Sequence, residues 1–388
     1  MTNIIYYGNL TWPEIKALPS SFPIILPLGI DYDINLICSR LCSPPSIVIL
    51  PPLPFGWVNS GLEVKEEIFN RLLRNLIGSL KDDGFDNIYV AAPYEITSIP
   101  ESSFLSNLKE SYTQSSILSP ETNVINKLVL IPTGHIEQHS YHLPMSTDTV
   151  IIEAIADGII QAVPGLCTML PVMPYGVSTH RSSFFGTFNA GGREYEDFWL
   201  NVIQRLVDLG YDRFYLINGH GGNSSFLANV VKYAGEQNPR IFCATSWLYL
   251  SGPDGIRSLE IHRDSPVGGM GHAGELETSL MLHLRKESVH MELVKDDTDF
   301  ISTPSYYMDW IEGGSIIANP PWYDDSKYGA YGAGSLGSAE KGSIWLKDAI
   351  NEKISHIHEI NQQQLARELR RNSGYGEWGS LSNSNKKK

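Results

Sequence analysis

Cysteine is scarce in this 388-residue chain: Cys38, Cys42, Cys167 and Cys243, with no CxxC pair among them. Three of the four lie in or beside apolar runs. They read as free, mostly buried thiols of a reducing compartment, which excludes a disulfide framework and a thiolate metal site. Basic charge is also short. Lys and Arg number 29 against 43 Asp and Glu, a formal charge of −14. Such a balance repels phosphate backbones and anionic lipid, so neither nucleic acid nor a membrane is an expected partner. The one basic run, Lys386-Lys387-Lys388, follows a Ser/Asn-rich stretch and belongs to an expected disordered tail, 373–388. No run approaches the roughly 18 apolar residues that cross a bilayer. Residues 1–9 show no basic segment leading into an apolar one, so the expectation is a soluble, cytoplasmic protein.

What is present is an ordinary globular composition, 42% hydrophobic and 19% charged, at a length that suits two or three domains. Short apolar runs at 46–50, 87–91, 127–131, 168–172, 213–217 and 241–245 read as strands. Amphipathic stretches at 66–80, 149–162, 194–209 and 224–236 read as helices between them. Strands alternating with helices imply βαβ units and a mostly parallel sheet, hence a three-layer α/β/α fold. In such folds ligands sit where the C-terminal ends of strands meet loops.

The chain also echoes itself. Ile25-Leu26-Pro27-Leu28-Gly29 resembles Leu130-Ile131-Pro132-Thr133-Gly134. Leu50-Pro51-Pro52-Leu53-Pro54-Phe55-Gly56 resembles Leu170-Pro171-Val172-Met173-Pro174-Tyr175-Gly176. The stretch from Asp83 to Val90 resembles that from Leu209 to Leu216. Three matches in one order imply a degenerate duplication. The first copy lacks the polar groups of the second: Gly29 is followed by Ile30-Asp31-Tyr32-Asp33 and Val90 by Ala91-Ala92-Pro93-Tyr94. We therefore expect a smaller, metal-free α/β unit over 1–105, a Ser/Thr/Asn-rich linker over 102–123, and a catalytic domain over 124–372.

Three stretches of the second unit carry chemistry. Gly134-His135-Ile136-Glu137-Gln138-His139 follows a strand and leads to Asp148 at the start of a helix. Glu137 and His139, two apart, project together from extended backbone. Asp148 has the helix dipole in its favour, either as a ligand or as an N-terminal cap. Asn218-Gly219-His220-Gly221-Gly222-Asn223 puts a histidine on a glycine-rich turn at a strand tip, where packing rarely needs one. His272-Ala273-Gly274-Glu275-Leu276-Glu277 opens an apolar helix; its two Glu are candidate ligands or favourable helix N-terminal charges. Carboxylates mixed with imidazoles suit Zn²⁺, Mn²⁺ or Fe²⁺ rather than Ca²⁺. A carboxylate shared by two such ions holds them roughly 3.5–4 Å apart around a bridging hydroxide that can attack an amide carbonyl.

Taken together, these motifs, with Leu143-Pro144 and the Pro174–His180 and Phe185-Gly186-Thr187 segments, resemble the creatininase (creatinine amidohydrolase) family over about 250 residues. The resemblance implies an α/β fold with a dinuclear centre. Glu137 and His220 would bind one metal and His139 the other, Asp148 would bridge them, and His272 would act as acid/base, with Glu137 beside it in the catalytic set. Ser178, His180 and Gly221 would line the substrate pocket. His135 and His142 would support the ligands, and a homo-oligomer is expected. Creatinine-cleaving members carry a further Glu ligand where this chain has Gly222; Glu275 is expected to replace it, with Glu277 as the competing candidate and otherwise a supporting group. Those members also place a Trp and an Asp where this chain has Gly268 and Gly269. Creatinine is therefore not the expected substrate. Trp247 is a pocket aromatic or a core residue, and Trp310, Trp322 and Tyr323 fall in a Pro/Gly-rich segment, 313–337, that is a pocket lid or a subunit contact.

The expected activity is metal-dependent hydrolysis of a non-peptide or cyclic amide C–N bond. The alternatives are a metallopeptidase trimming a ribosomally made peptide precursor, chemistry on a sugar-like ring, and a catalytically silent binding or scaffold protein.

Overall fold

The computed structural model describes residues 2–30, 32–93, 103–105, 124, 126–179, 184–307, 309, 311 and 314–374. Among the described residues, nine strands form two wholly parallel sheets. The first contains β1 (Asn3–Tyr6), β2 (Ile24–Pro27), β3 (Ser46–Ile49), β4 (Ile88–Ala91) and β5 (Ser103–Leu105), in the order β1-β3-β2-β4-β5. The second contains β6 (Leu128–Thr133), β7 (Cys167–Met169), β8 (Arg213–Asn218) and β9 (Phe242–Thr245), in the order β7-β6-β8-β9. The helices are α1 (Trp12–Lys16), α2 (Ile34–Arg40), α3 (Glu66–Asp82), α4 (Thr147–Ala162), α5 (Gly192–Asp208), α6 (Ser224–Gln237), α7 (Pro253–His262), α8 (Glu275–Leu284), α9 (Trp322–Asp325) and α10 (Ala339–Asn372). None of the described helices is long and apolar enough to cross a membrane.

Strand alternation sorts the core. On β6 and β8, Val129, Ile131, Phe214 and Leu216 face one side and pack with α5 and α6, while Leu128, Leu130, Tyr215 and Ile217 face the other and pack with α4, α8 and α10. Both faces of a parallel sheet are thereby covered, the three-layer arrangement expected. On the first sheet, Ile25, Ile47, Ile49 and Ala91 pack with Ile37 and Cys38 of α2, while Ile24, Leu26, Val48, Ile88 and Val90 turn inward with α3. That inward face joins the α5/α6 side of the second sheet in one continuous apolar cluster. The two units thus share a core.

The echoed segments take matching places. Leu28 bridges to Leu53 as Thr133 bridges to Met173. Gly29 N donates to Leu53 O at 2.9 Å, and Gly134 N to Met173 O at 2.8 Å. Leu50 N donates to Ile25 O, and Leu170 N to Leu130 O. The order β3-β2-β4-β5 has the connectivity of β7-β6-β8-β9. The first sheet exceeds the second by one strand, because β1 adds to β3. Asp33 caps α2, accepting from Asn35 N at 2.8 Å, and so serves the helix. Asp31, the remainder of the linker beyond β5, and 375–388 of the expected tail lie outside the described residues.

Candidate metal centre

The site assembles where β6 and β8 end side by side, with Thr133 opposite Asn218. From Thr133 the chain passes through Glu137 and His139 to α4; from Asn218 it turns at once through His220. Asn218 fixes that turn, its amide donating to His220 O at 2.8 Å and to Ser224 Oγ and Trp247 O at 2.9 Å. A Cβ at Gly219 would strike Asp148 O and Ile152, so α4 can lie against the turn only beside a glycine.

Asp148 stands between two histidines. Its Oδ1 is 3.0 Å from His139 Nε2 and its Oδ2 is 3.1 Å from His220 Nδ1. Glu137 Oε1 lies 3.1 Å from the same His220 nitrogen and 3.3 Å from His272 Nδ1. Glu277 Oε2 lies 3.7 Å from His139 Nε2. All six side chains are buried.

The far nitrogens of these rings settle what the near ones present. His139 Nδ1 meets Glu137 O at 3.1 Å, His220 Nε2 meets Val177 O at 3.0 Å, and His272 Nε2 meets Gln138 O at 2.7 Å. A carbonyl only accepts, so each of these ring nitrogens carries the proton. The opposite nitrogen of each neutral ring then turns a lone pair toward a carboxylate. Acceptors facing acceptors at about 3 Å repel unless a cation or a proton lies between them. Histidines with one N–H on a carbonyl and the other nitrogen among carboxylates are built as metal ligands are. The donor set therefore fits divalent cations.

In the metal-free protein, protons play that part. Burial disfavours the charged form of His139, but Asp148 outweighs it, helped by Glu277 and Glu137, and lifts the imidazole to about 9. Asp148 is likewise opposed by burial yet drawn down to about 2 by His139 and His220. Glu277 is pushed up to about 7 by burial, against the pull of His139. Burial, followed by the charge on His139, lowers His272 to about 3 and keeps it neutral.

Not every expected residue is brought in. Glu275 is turned away: its carboxylate accepts from Asp264 N at 2.9 Å and Ser265 N at 2.8 Å and pairs with Lys341 on α10. Glu277, two positions on, takes the place beside His139. Successive helix positions two apart point about 200° from each other, so only one of the pair can face the cluster. The ligand expectation for Glu275 is thus corrected in favour of Glu277. Glu275→Ala should keep full metal content yet cost about 1–3 kcal/mol, because it leaves the amides of Asp264 and Ser265 without their acceptor; thermal melts with elemental analysis check both. Asp148 is not a cap either. It is the second residue of α4, behind Ser146 at the cap position, and its oxygens address side chains.

Gly222 holds its place for a steric reason. A Cβ there would fall on Val177 O and His220 Nε2 and break the bond that orients His220. His142 donates or accepts at Nε2 with Thr278 Oγ1, 2.9 Å away, and burial, then His139, lowers it to about 4. It therefore stands behind the ligands, as does His135. Ser178 is buried next to Val177, and Gly221 opens the turn after His220. Trp247 is 40% exposed, which removes its core alternative. His180 and Trp310 lie outside the described residues.

Three contributors were not read from the sequence. Tyr249 donates to Gly219 O at 2.7 Å and stands 3.5 Å from Asp148 Oδ1 and 3.4 Å from Glu277 Oε1. Gln138 ties the ligand loop to the glycine-rich segment, its Nε2 donating to Gly329 O at 2.7 Å. Trp322 sets its ring edge-on to His272, centroids 4.9 Å apart. Trp322 was only placed in a lid-or-contact segment; fifty residues from His272, it carries no spacing signal.

Comparison with known proteins agrees with this geometry. A family profile described as creatinine amidohydrolase matches residues 119–357. The chain is 28% identical over 185 residues to the creatinine amidohydrolase of Pseudomonas putida, covering 44% of this chain and 68% of that one. It is 32% identical over 168 residues to the mycofactocin precursor peptide peptidase of Mycobacterium ulcerans, covering 42% and 60%. It is 25% identical over 253 residues to the 3-dehydro-scyllo-inosose hydrolase of Thermotoga maritima, covering 62% and 78%. The solved structure of a Bacteroides fragilis protein placed among the creatinine amidohydrolases superimposes with a TM-score of 0.52 at 18% identity, covering 67% of this chain and 94% of that one. That likeness speaks for the fold.

Proposed function

The chain belongs to the creatininase family, and from that premise we propose that it is a two-metal hydrolase of a small amide C–N bond other than that of creatinine. The observation that carries the proposal is Asp148, placed within about 3 Å of one nitrogen from each of two histidines whose lone pairs are aimed at it. Asp148 would be shared by two cations, with Glu137 and His220 completing one set and His139 and Glu277 the other. When bound, such ions would polarise a carbonyl and make a water acidic enough to attack it near neutral pH.

The remaining steps fall to the chain's own groups. His272 is held neutral by burial, with its Nε2–H fixed on Gln138 O and its Nδ1 lone pair on the cluster side. Nδ1 can thus take a proton from the attacking water and return it to the departing nitrogen. Trp322 against the outer side of His272 keeps bulk water from that proton. Tyr249 donates to Gly219 O, near Asp148 and Glu277, and holds that side of the pocket.

Two glycines argue against creatinine. Gly268 has φ +89° and faces Phe300, and a Cβ at Gly269 would fall on Ser265. Neither position admits the Trp and Asp that creatinine-cleaving members use. In this reading 124–372 is the catalytic domain and 1–105 a metal-free scaffold that arose by duplication.

The test is elemental analysis of purified protein, followed by a screen of cyclic amides, formamides and short peptides with Zn²⁺, Mn²⁺ and Fe²⁺. Two metals per chain and turnover of a small amide are expected. Cleavage confined to peptides would favour precursor trimming, and a metal content near zero that loading cannot restore would remove the enzyme reading.

A further inference from the structure

One histidine of the cluster is wired the opposite way. His135 is fully buried, its ring centroid 4.3 Å from that of His220 and tilted by 32°. Its potential ligand atom lies within 4.8 Å of those of Glu137 and His220, so by proximity alone it would count as a further ligand. Yet Gly176 N donates to His135 Nδ1 at 2.9 Å. A backbone N–H can only donate, so Nδ1 keeps its lone pair and the proton of the neutral ring sits on Nε2. His139, His220 and His272 each give their proton to a carbonyl and turn a lone pair to the carboxylates; His135 gives its lone pair to an amide and keeps an N–H.

The surroundings fix this choice. Asn223 Oδ1 accepts from Val177 N at 2.9 Å, and its Nδ2 donates to Gly134 O at 3.2 Å, which clamps the 176–177 backbone against the ligand loop. A Cβ at Gly176 would fall on Asn223 Oδ1, so the clamp depends on that glycine. Thr149 Oγ1 donates to His135 O at 2.9 Å and secures the other side. The other tautomer, with the proton on Nδ1, would set N–H against N–H at Gly176.

We infer that His135 is a positioning residue rather than a ligand: when a cation shared with His220 is bound, its Nε2–H donates to the Glu137 carboxylate and fixes which oxygen Glu137 offers to that cation. This rests on the two-cation reading. It also answers the absence of an acidic side chain at Gly222, since a Glu137 held by a donor presents one defined oxygen without a further ligand to steer it.

The direct test is wild-type protein labelled with ¹⁵N-histidine and loaded with Zn²⁺, whose two-bond ¹H–¹⁵N spectra report the protonated nitrogen of each ring. The expected result is a proton on Nε2 of His135 with no zinc on its Nδ1, alongside protons on Nδ1 of His139 and on Nε2 of His220 and His272. Two bound Zn²⁺ with His135 protonated at Nδ1 would overturn the assignment alone. A chain that takes up no Zn²⁺ would overturn the two-cation reading and this inference with it. In competition with a chromophoric chelator, His135→Ala should still bind two Zn²⁺ with the weaker Kd raised ~10–100-fold, and His135→Gln, which keeps an N–H, should recover most of that loss. Loss of one zinc equivalent, or an unchanged Kd, contradicts the inference.

Discussion

Asp148→Asn should lower turnover by roughly 10³-fold or more, about 4 kcal/mol of transition-state stabilisation, and the metal-free protein should melt below wild type near neutral pH. The two effects come from one atom. In wild type both carboxylate oxygens face ring lone pairs, those of His139 and His220, and the arrangement is satisfied only by a cation or an added proton. Asparagine has the same shape, but its Nδ2–H can donate to one of those lone pairs. The change still removes both the charge that pairs with protonated His139 in the metal-free protein and the charge that would hold cations in the loaded one. Metal content by elemental analysis, melting temperature and turnover on whichever amide the screen identifies are the three readouts. Turnover within tenfold of wild type, or two metals retained at full affinity, would remove Asp148 from its bridging place. Asp148→Ala should match the loss of activity but fold less stably, since it leaves a cavity against Tyr249 as well.

Chelation gives the second large effect, and its pH dependence has a definite sign. His139 in the metal-free protein is raised to about 9 and Glu277 to about 7. A group whose pKa is raised on folding supports the fold below its unfolded value and loses that support as pH climbs through the folded one. Glu277 therefore withdraws its support between about pH 4.5 and 7, and His139 between about pH 6.5 and 9, as the protons that separate the carboxylates from the imidazole lone pairs depart. Asp148, lowered to about 2, acts with the opposite sign but only in strong acid. Cations replace those protons, so metal uptake should release on the order of two protons per chain at pH 7 and should tighten as pH rises. Loading at 1,000 times Kd contributes about 4 kcal/mol. The gap in melting temperature between loaded and chelated protein should hence be about 10 °C near pH 8 and shrink toward pH 6. Calorimetry in buffers of different ionisation enthalpy measures the proton release, and a gap that widens on acidification would reverse the assignment.

The sequence announced its strands because each is a short apolar run, and the six read at 46–50 through 241–245 recur within a few residues of β3, β4 and β6–β9. It could not say that the two units would share one apolar core, since that is settled by packing far from each strand. The 34-residue helix α10 went unread although Trp345, Ala349, Ile357 and Ile360 form a stripe. That stripe is interrupted by buried Glu352, Lys353 and Gln364. Glu352 accepts from Ser251 N at 3.0 Å and Gly252 N at 2.9 Å, and Gln364 reaches Asp212 at 3.0 Å. Polar groups satisfied by distant partners look exposed when only neighbours in the chain are visible.

At the site, Glu137, His139, Asp148 and His220 were legible because their motifs fall on strand ends and on a helix start. The choice between Glu275 and Glu277 was not. Both occupy the first turn of α8, and the rotation of that helix is set by Lys341 and the backbone at 264–265. Nor could spacing reveal which nitrogen of each imidazole bears hydrogen. That property belongs to the carbonyls and the amide behind the rings.

The turn that leads into α4 is held from outside its own unit. Met145 N donates to Leu10 O at 2.8 Å and Ser146 N to Gly8 O at 3.0 Å, both carbonyls of the N-terminal scaffold. A Cβ at Gly8 would press on Ser146, two residues from Asp148. Substitution at Gly8 should therefore shift Ser146 and disturb the approach to Asp148. The first residues of the chain thus hold a turn of the second unit in place from outside it.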